Sequence, residues 1–208
     1  MSTPHLKARV AILISGRGSN MEAIAKAARG TDFPAKVALV LSNRPDAEGL
    51  KRAEKLGIKT AVLDHTQFTT REAFDGALHQ VLLQEEIDFI CLAGFMRLLT
   101  PGFVASWEGR IMNIHPSLLP SYKGLNAIEQ AIEAGAKITG CTVHAVTADM
   151  DSGPIIGQCA VPVLAGDTPE TLAKRIQAAE HRLYPQALWL VLSGQHLPAE
   201  EDEQLISF

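Results

Sequence analysis

Ala8-Arg9-Val10-Ala11-Ile12-Leu13-Ile14-Ser15-Gly16-Arg17-Gly18-Ser19-Asn20 runs from an apolar, β-branched stretch into a glycine-rich turn. The apolar run from Val10 to Ile14 shows no alternation, so it predicts a strand buried on both faces. Met21, Ile24, Ala25 and Ala28 then recur on one face, which predicts a helix over residues 20–29. A buried strand, a tight turn and a helix make the first step of a parallel βαβ unit.

The alternation continues outward. Residues 37–41 read as a second buried strand, 46–56 as a short helix closed by Gly57, and 60–63 as a third strand. Thr69-Thr70-Arg71-Glu72 has the form of a capping box opening a helix to about residue 84. Residues 88–93 and 110–114 give two more strands. In the last third, 125–134 predict a helix stopped by Gly135. Residues 138–146 predict a strand, with Thr139, Cys141, Val143 and Ala145 on one face and Thr142, His144 and Val146 on the other. Residues 155–163, a loop away, form its antiparallel partner. Thr168 is the expected N-cap of a long helix with Pro169 at its first position. That helix runs to about Tyr184, where Pro185 kinks or restarts it. Glu200, Glu201, Asp202 and Glu203 read as an acidic surface tail. The expected class is α/β: an open, mostly parallel twisted sheet with flanking helices, and an antiparallel addition in the C-terminal third. One domain over residues 1–208 is expected.

Composition narrows the function. The chain has 208 residues, 47% of them hydrophobic, which suits one domain with a real core. A net charge of −4 and 5% aromatics argue against a nucleic-acid binder, which needs basic stripes or stacking platforms. No apolar stretch approaches the roughly 18 residues of a membrane span, and no signal peptide is expected. Three cysteines without CxxC spacing argue against a disulfide scaffold or cysteine zinc site and favour a reducing cytoplasm.

Three segments carry chemistry. The Ser15–Asn20 loop sits where open α/β sheets bind phosphates. It fails the dinucleotide fingerprint because Met21 stands where the third glycine belongs, and the second strand ends Leu41-Ser42-Asn43 without an acid. It fails as a Walker loop because no glycine precedes a lysine, and as a nucleophile elbow because Leu13 stands two before Ser15. A mononucleotide or sugar-phosphate cradle survives, beside a plain tight turn. Asn113 and His115 lie two apart, so they share a strand face at the edge where such sheets hold ligands. Asn donates to a developing oxyanion and His moves a proton near neutral pH, whereas a merely structural histidine is the bland alternative. Asp149 and Asp151 sit in a turn-rich loop, where Asp151 either orients His115 or only shapes the turn before Gly153-Pro154. A metal on His115, His144 and Asp151 lacks any supporting spacing.

Together, Ser15-Gly16-Arg17-Gly18-Ser19-Asn20, Leu92-Ala93-Gly94-Phe95-Met96-Arg97, Asn113-Ile114-His115-Pro116-Ser117-Leu118-Leu119-Pro120 and Asp151-Ser152-Gly153-Pro154 resemble the phosphoribosylglycinamide formyltransferase family. The resemblance covers residues 8–194. It implies a Rossmann-like formyltransferase fold and transfer of a formyl group from 10-formyltetrahydrofolate to the amine of glycinamide ribonucleotide, without a metal. It implies that Asn113 and His115 stabilise the oxyanion with His115 as proton donor, and that Asp151 keeps His115 protonated and helps move the amine proton. It implies that Gly18, Ser19, Asn20 and Glu180 hold the ribonucleotide. Arg71, Met96, Arg97, Leu98, Leu99, Asn113, Thr147, Ala148, Asp149, Met150 and Asp151 match residues of the folate site. Small-molecule partners, no nucleic acid, no membrane, and a monomer or homodimer follow. Ile128 departs from a frequent family histidine, and Arg17 from a frequent asparagine. Formyltetrahydrofolate deformylases share the Asn-His-Asp pattern, but the G-x-G-S-N loop favours the transferase.

Overall fold

The computed structural model describes residues 7–194 and 206–207. The chain divides into two compact units, Met1–Ile111 and Met112–Phe208.

The first unit contains β1 (Ala8–Ile14), α1 (Ser19–Ala27), β2 (Ala35–Ser42), α2 (Glu48–Lys55) and β3 (Thr60–Val62). A 3-10 turn (His65–Gln67), α3 (Arg71–Gln84), β4 (Phe89–Leu92) and α4 (Pro101–Ser106) follow. The strand order is β3-β2-β1-β4, with every pairing parallel. β1 is central, and Val10 through Ile14 are fully buried, as their unbroken apolar run requires. The register aligns Ile14 with Ser42 and Leu13 with Leu92, so the turns leaving β1, β2 and β4 share one carboxyl edge. That edge is where open α/β sheets present ligand-binding loops.

The second unit contains β5 (Ile111–His115), α5 (Ala127–Glu133), β6 (Ile138–Ala145), β7 (Ile155–Pro162) and α6 (Pro169–Ser193), with β8 at Ile206–Ser207. β5 with β6 and β6 with β7 pair antiparallel, while β8 lies parallel to β7. α6 packs on β6 and β7 and buries Leu172, Ile176, Ala179, Leu183 and Leu188. Its N-terminus is as expected: Thr168 and Thr171 cap each other, and Pro169 follows. The fold is therefore α/β, parallel at first and antiparallel in its last third.

Some local expectations are corrected. α6 runs unbroken through Pro185, because the buried side chains around it hold the helix where the missing amide would weaken it. Thr70 does cap α3, accepting from the Ala73 amide, but position N3 is alanine, so the reciprocal box is absent. α5 starts at Ala127 because Asn126 adopts a left-handed φ of 57°. The short α4 and the 3-10 turn lack enough periodicity to be read from sequence. The acidic tail at 200–203 lies outside the described residues.

Candidate active site

The glycine loop of the first unit is shaped by close backbone approach. Gly18 takes a left-handed φ of 73° as the N-cap of α1 and, as a glycine, makes no side-chain cap hydrogen bond. The dipole of a helix start with no side-chain cap favours an anion nearby. The loop is closed from outside by Gly49, whose amide donates to the Gly16 carbonyl at 2.9 Å. A Cβ on Gly49 would stand 2.6 Å from Ile14 Cδ1 and 3.1 Å from Gly18 Cα. Sequence reasoning missed Gly49; its only signal was a glycine just inside a helix start. Arg17 is exposed at the loop tip, and Ser19 and Asn20 are half-buried.

The second unit brings Asn113, His115 and Asp151 together. The β5–β6 register places Asn113 opposite His144 and His115 opposite Thr142, so these four side chains share a face. Asp151 arrives from the loop after β6, with its Oδ2 3.5 Å from His115 Nδ1 and its Oδ1 3.7 Å from His144 Nε2. The loop's base is pinned: Ala145 donates to the Pro154 carbonyl at 2.9 Å. A Cβ on Gly153 would collide with the Ala145 carbonyl oxygen.

Hydrogen bonds fix both rings. His115 Nε2 lies 2.9 Å from the Tyr122 carbonyl, which can only accept, so Nε2 carries a hydrogen and Nδ1 faces the carboxylate. By the same argument His144 Nδ1 donates to its neighbour's carbonyl, that of Ala145, at 2.9 Å. Burial holds the His144 pKa below its ordinary value, against the pull of that carbonyl and Asp151. The neutral Nε2 then accepts from Asn113 Nδ2 at 3.3 Å, which orients the amide. His144 entered the sequence reading only as a metal-ligand candidate. Among the described residues, no group of three or more His, Cys, Asp or Glu side chains is arranged to hold a metal ion.

A strap between β5 and α5 completes the cluster. Tyr122, Gly124 and Asn126 all have positive φ, at 55°, 77° and 57°. This winding aims the Tyr122 carbonyl at His115 and the Gly124 amide at Asp151 Oδ2, 2.9 Å away. Backbone groups leave no residue-type signal, so sequence reasoning could not find them. The arrangement can donate from Asn113, transfer a proton at His115 and balance charge with Asp151.

In the run after β4, Phe95, Arg97 and Leu99 turn inward, while Met96 and Leu98 are 67% and 53% exposed. These two exposed apolar side chains are available to a ligand's apolar face. Arg71 is exposed at the start of α3. Thr147, Ala148, Asp149 and Met150 are exposed in the second unit's loop, and Glu180 is buried on α6.

Residues 8–188 match the family model described as formyl transferase. The trifunctional purine biosynthetic protein adenosine-3 of Gallus gallus is 53% identical over 188 residues, 90% of this chain and 19% of that protein. The chain thus spans about a fifth of that relative's length. Phosphoribosylglycinamide formyltransferase of Escherichia coli (strain K12) is 42% identical over 92% of this chain and 96% of its own length. Among solved structures, phosphoribosylglycinamide formyltransferase from Brucella melitensis has a TM-score of 0.87 at 52% identity, covering 93% of this chain and all of that one. Glycinamide ribonucleotide transformylase 1 from Symbiobacterium toebii has a TM-score of 0.90 at 48% identity, covering 93% and 91%.

Proposed function

Because the chain belongs to the formyl transferase family, among the phosphoribosylglycinamide formyltransferases, we propose that it transfers the formyl group of 10-formyltetrahydrofolate to the amine of glycinamide ribonucleotide. The products are formylglycinamide ribonucleotide and tetrahydrofolate, a step of purine synthesis. The observation that carries this reading is the convergence of Asn113, His115 and Asp151, with both rings held by carbonyls.

The primary amine attacks the formyl carbon. A carbon–nitrogen bond forms to the amine, the bond to the folate nitrogen breaks, and one proton passes from amine to leaving group. Negative charge develops on the formyl oxygen. Asn113 Nδ2 donates to that oxygen with the hydrogen His144 does not use. His115 supplies the proton on its Nδ1 edge, and Asp151 opposite balances the charge and assists removal of the amine proton. Gly18, Ser19 and Asn20 hold the ribonucleotide phosphate, and Glu180 contacts the same substrate. Each unit offers its own folate-binding segment: Arg71 with Met96–Leu99 in the first, and Asn113 with Thr147–Asp151 in the second. The family match runs through both units, which supports one formyltransferase domain over residues 1–208. Three buried free cysteines support work in a reducing cytoplasm. The protein acts there as a monomer or homodimer.

The deciding experiment follows tetrahydrofolate release spectroscopically, with and without glycinamide ribonucleotide. Release that requires the ribonucleotide is expected. Equal release without it would make the protein a deformylase, and no release would leave only a phosphate-binding module.

A further inference from the structure

The run from Gly94 to Thr100 is fastened at three points within the first unit. Near its start the Met96 amide donates to Ser15 Oγ at 2.7 Å, and the Ser15 amide donates to the Gly94 carbonyl at 3.1 Å. In its middle, Phe95 stacks on Phe74 with centroids 6.4 Å apart, and the Arg97 guanidinium lies 4.3 Å over the same ring. At its end the Thr100 amide donates to Asp75 Oδ2 at 2.6 Å. Phe74 and Asp75 are buried neighbours on α3, so two fasteners come from a packed helix. The third comes from Ser15, the residue that opens the glycine loop.

Ser15 can hold Met96 only if its hydroxyl points the right way. A hydroxyl has one hydrogen and two lone pairs. Asn43 Oδ1 takes the hydrogen at 2.5 Å, which turns a lone pair to the Met96 amide. Asn43 is itself fixed: it is 1% exposed, and its carbonyl accepts from the His65 amide at 3.2 Å and from His65 Nδ1 at 2.8 Å. A chain from His65 through Asn43 and Ser15 thus ends on the Met96 amide, at the entry to the segment that carries the exposed Met96 and Leu98 side chains. Hydrogen bonds linked in a partly buried chain polarise one another and favour one geometry.

We propose that Ser15, oriented by Asn43, is a positioning residue that sets the Met96–Leu99 run for the folate and ties it to the phosphate loop. This rests on the formyltransferase reading. Ser15 is asked to touch no reacting atom, so its effect falls on folate affinity more than on turnover. Removing the hydroxyl leaves the Met96 amide and the Asn43 side-chain oxygen without this partner, and the run is free to relax away.

The test combines kinetics with calorimetric titration of tetrahydrofolate. Ser15→Ala should raise the folate KM and the tetrahydrofolate Kd about 10-fold, the scale of one buried hydrogen bond, with kcat within about 3-fold. Asn43→Ala should shift both in the same direction by freeing the hydroxyl rotor, while Ser15→Thr, which keeps the hydroxyl, should stay near wild type. Thermal melts check that each variant folds. Unchanged folate KM and Kd in folded Ser15→Ala overturns the proposal, as does a fall confined to kcat. A wild-type protein that releases no tetrahydrofolate with the ribonucleotide present would instead refute the transferase reading, and the titration would still judge Ser15.

Discussion

At the scale of single residues, the three candidate groups have separable duties because each is held by something different. Asn113 is aimed by a neutral His144, His115 by the Tyr122 carbonyl, and Asp151 by the Gly124 amide. On the proposed role of His115, removing its ring should therefore lower turnover without dismantling the others. His115→Ala is expected to reduce kcat/KM about 100-fold or more, the usual scale for a lost general acid–base group. For Asp151 the informative change is Asn, not Ala. Asp151 sits at a left-handed φ of 49°, a conformation Asn tolerates well, so Asp151→Asn removes the charge while keeping the backbone turn. It should match the His115→Ala loss with a urea midpoint near wild type. Turnover near wild type in either variant would remove that residue from the mechanism.

Elements show a different logic, in which glycines with similar sequence surroundings do opposite things. Gly49 in α2 has no room for a Cβ, which would press on Ile14 and the glycine loop. Gly76 in α3 has nothing within 4 Å of that position. Gly49→Ala must push the start of α2 off the loop, costing about 1–3 kcal/mol by overpacking. It is expected to raise the ribonucleotide KM about 10-fold, a shift equivalent to roughly 1.4 kcal/mol of binding. Gly76→Ala should instead stabilise α3 by about 0.5–1 kcal/mol and leave kinetics unchanged, since alanine costs less helical entropy. Urea melts and initial rates on both variants check the pair; equal effects would mean that α2 does not shape the loop. Beyond a glycine just inside a helix start, nothing in the segment Asp46-Ala47-Glu48-Gly49 announces that constraint, because the clashing atoms belong to β1 and its turn.

Across the whole molecule, what was legible in sequence is what a short segment decides by itself. β1 announces itself because burial on both faces needs an unbroken apolar run, and α6 because Thr168-Pro169 sets its start. Asn113 and His115 are legible as a strand-face pair, while the residues alone leave Asp151 as either an orienter of His115 or a turn residue, since its approach depends on a loop closing back onto β5. His144 stayed hidden as the orienter of Asn113 because that role needs the β5–β6 register. The same buried ring gives the molecule a pH signature. Burial lowers the His144 pKa below its ordinary 6.5, outweighing Asp151, while His115 and Lys123 push it the same way as burial. In the unfolded chain the ring takes up its proton near pH 6.5, but in the folded chain only at lower pH. Between those points the unfolded state binds more protons, so stability rises with pH. The contribution is complete above about pH 6.5 and is lost as pH falls toward the folded value. Urea midpoints measured from pH 7.5 to 5.5 should therefore decline. His144→Gln, which keeps an acceptor for Asn113 but cannot titrate, should decline less across that window. Equal slopes would mean that His144 takes up its proton as readily in the fold as outside it, and the neutral ring that orients Asn113 would have to be abandoned.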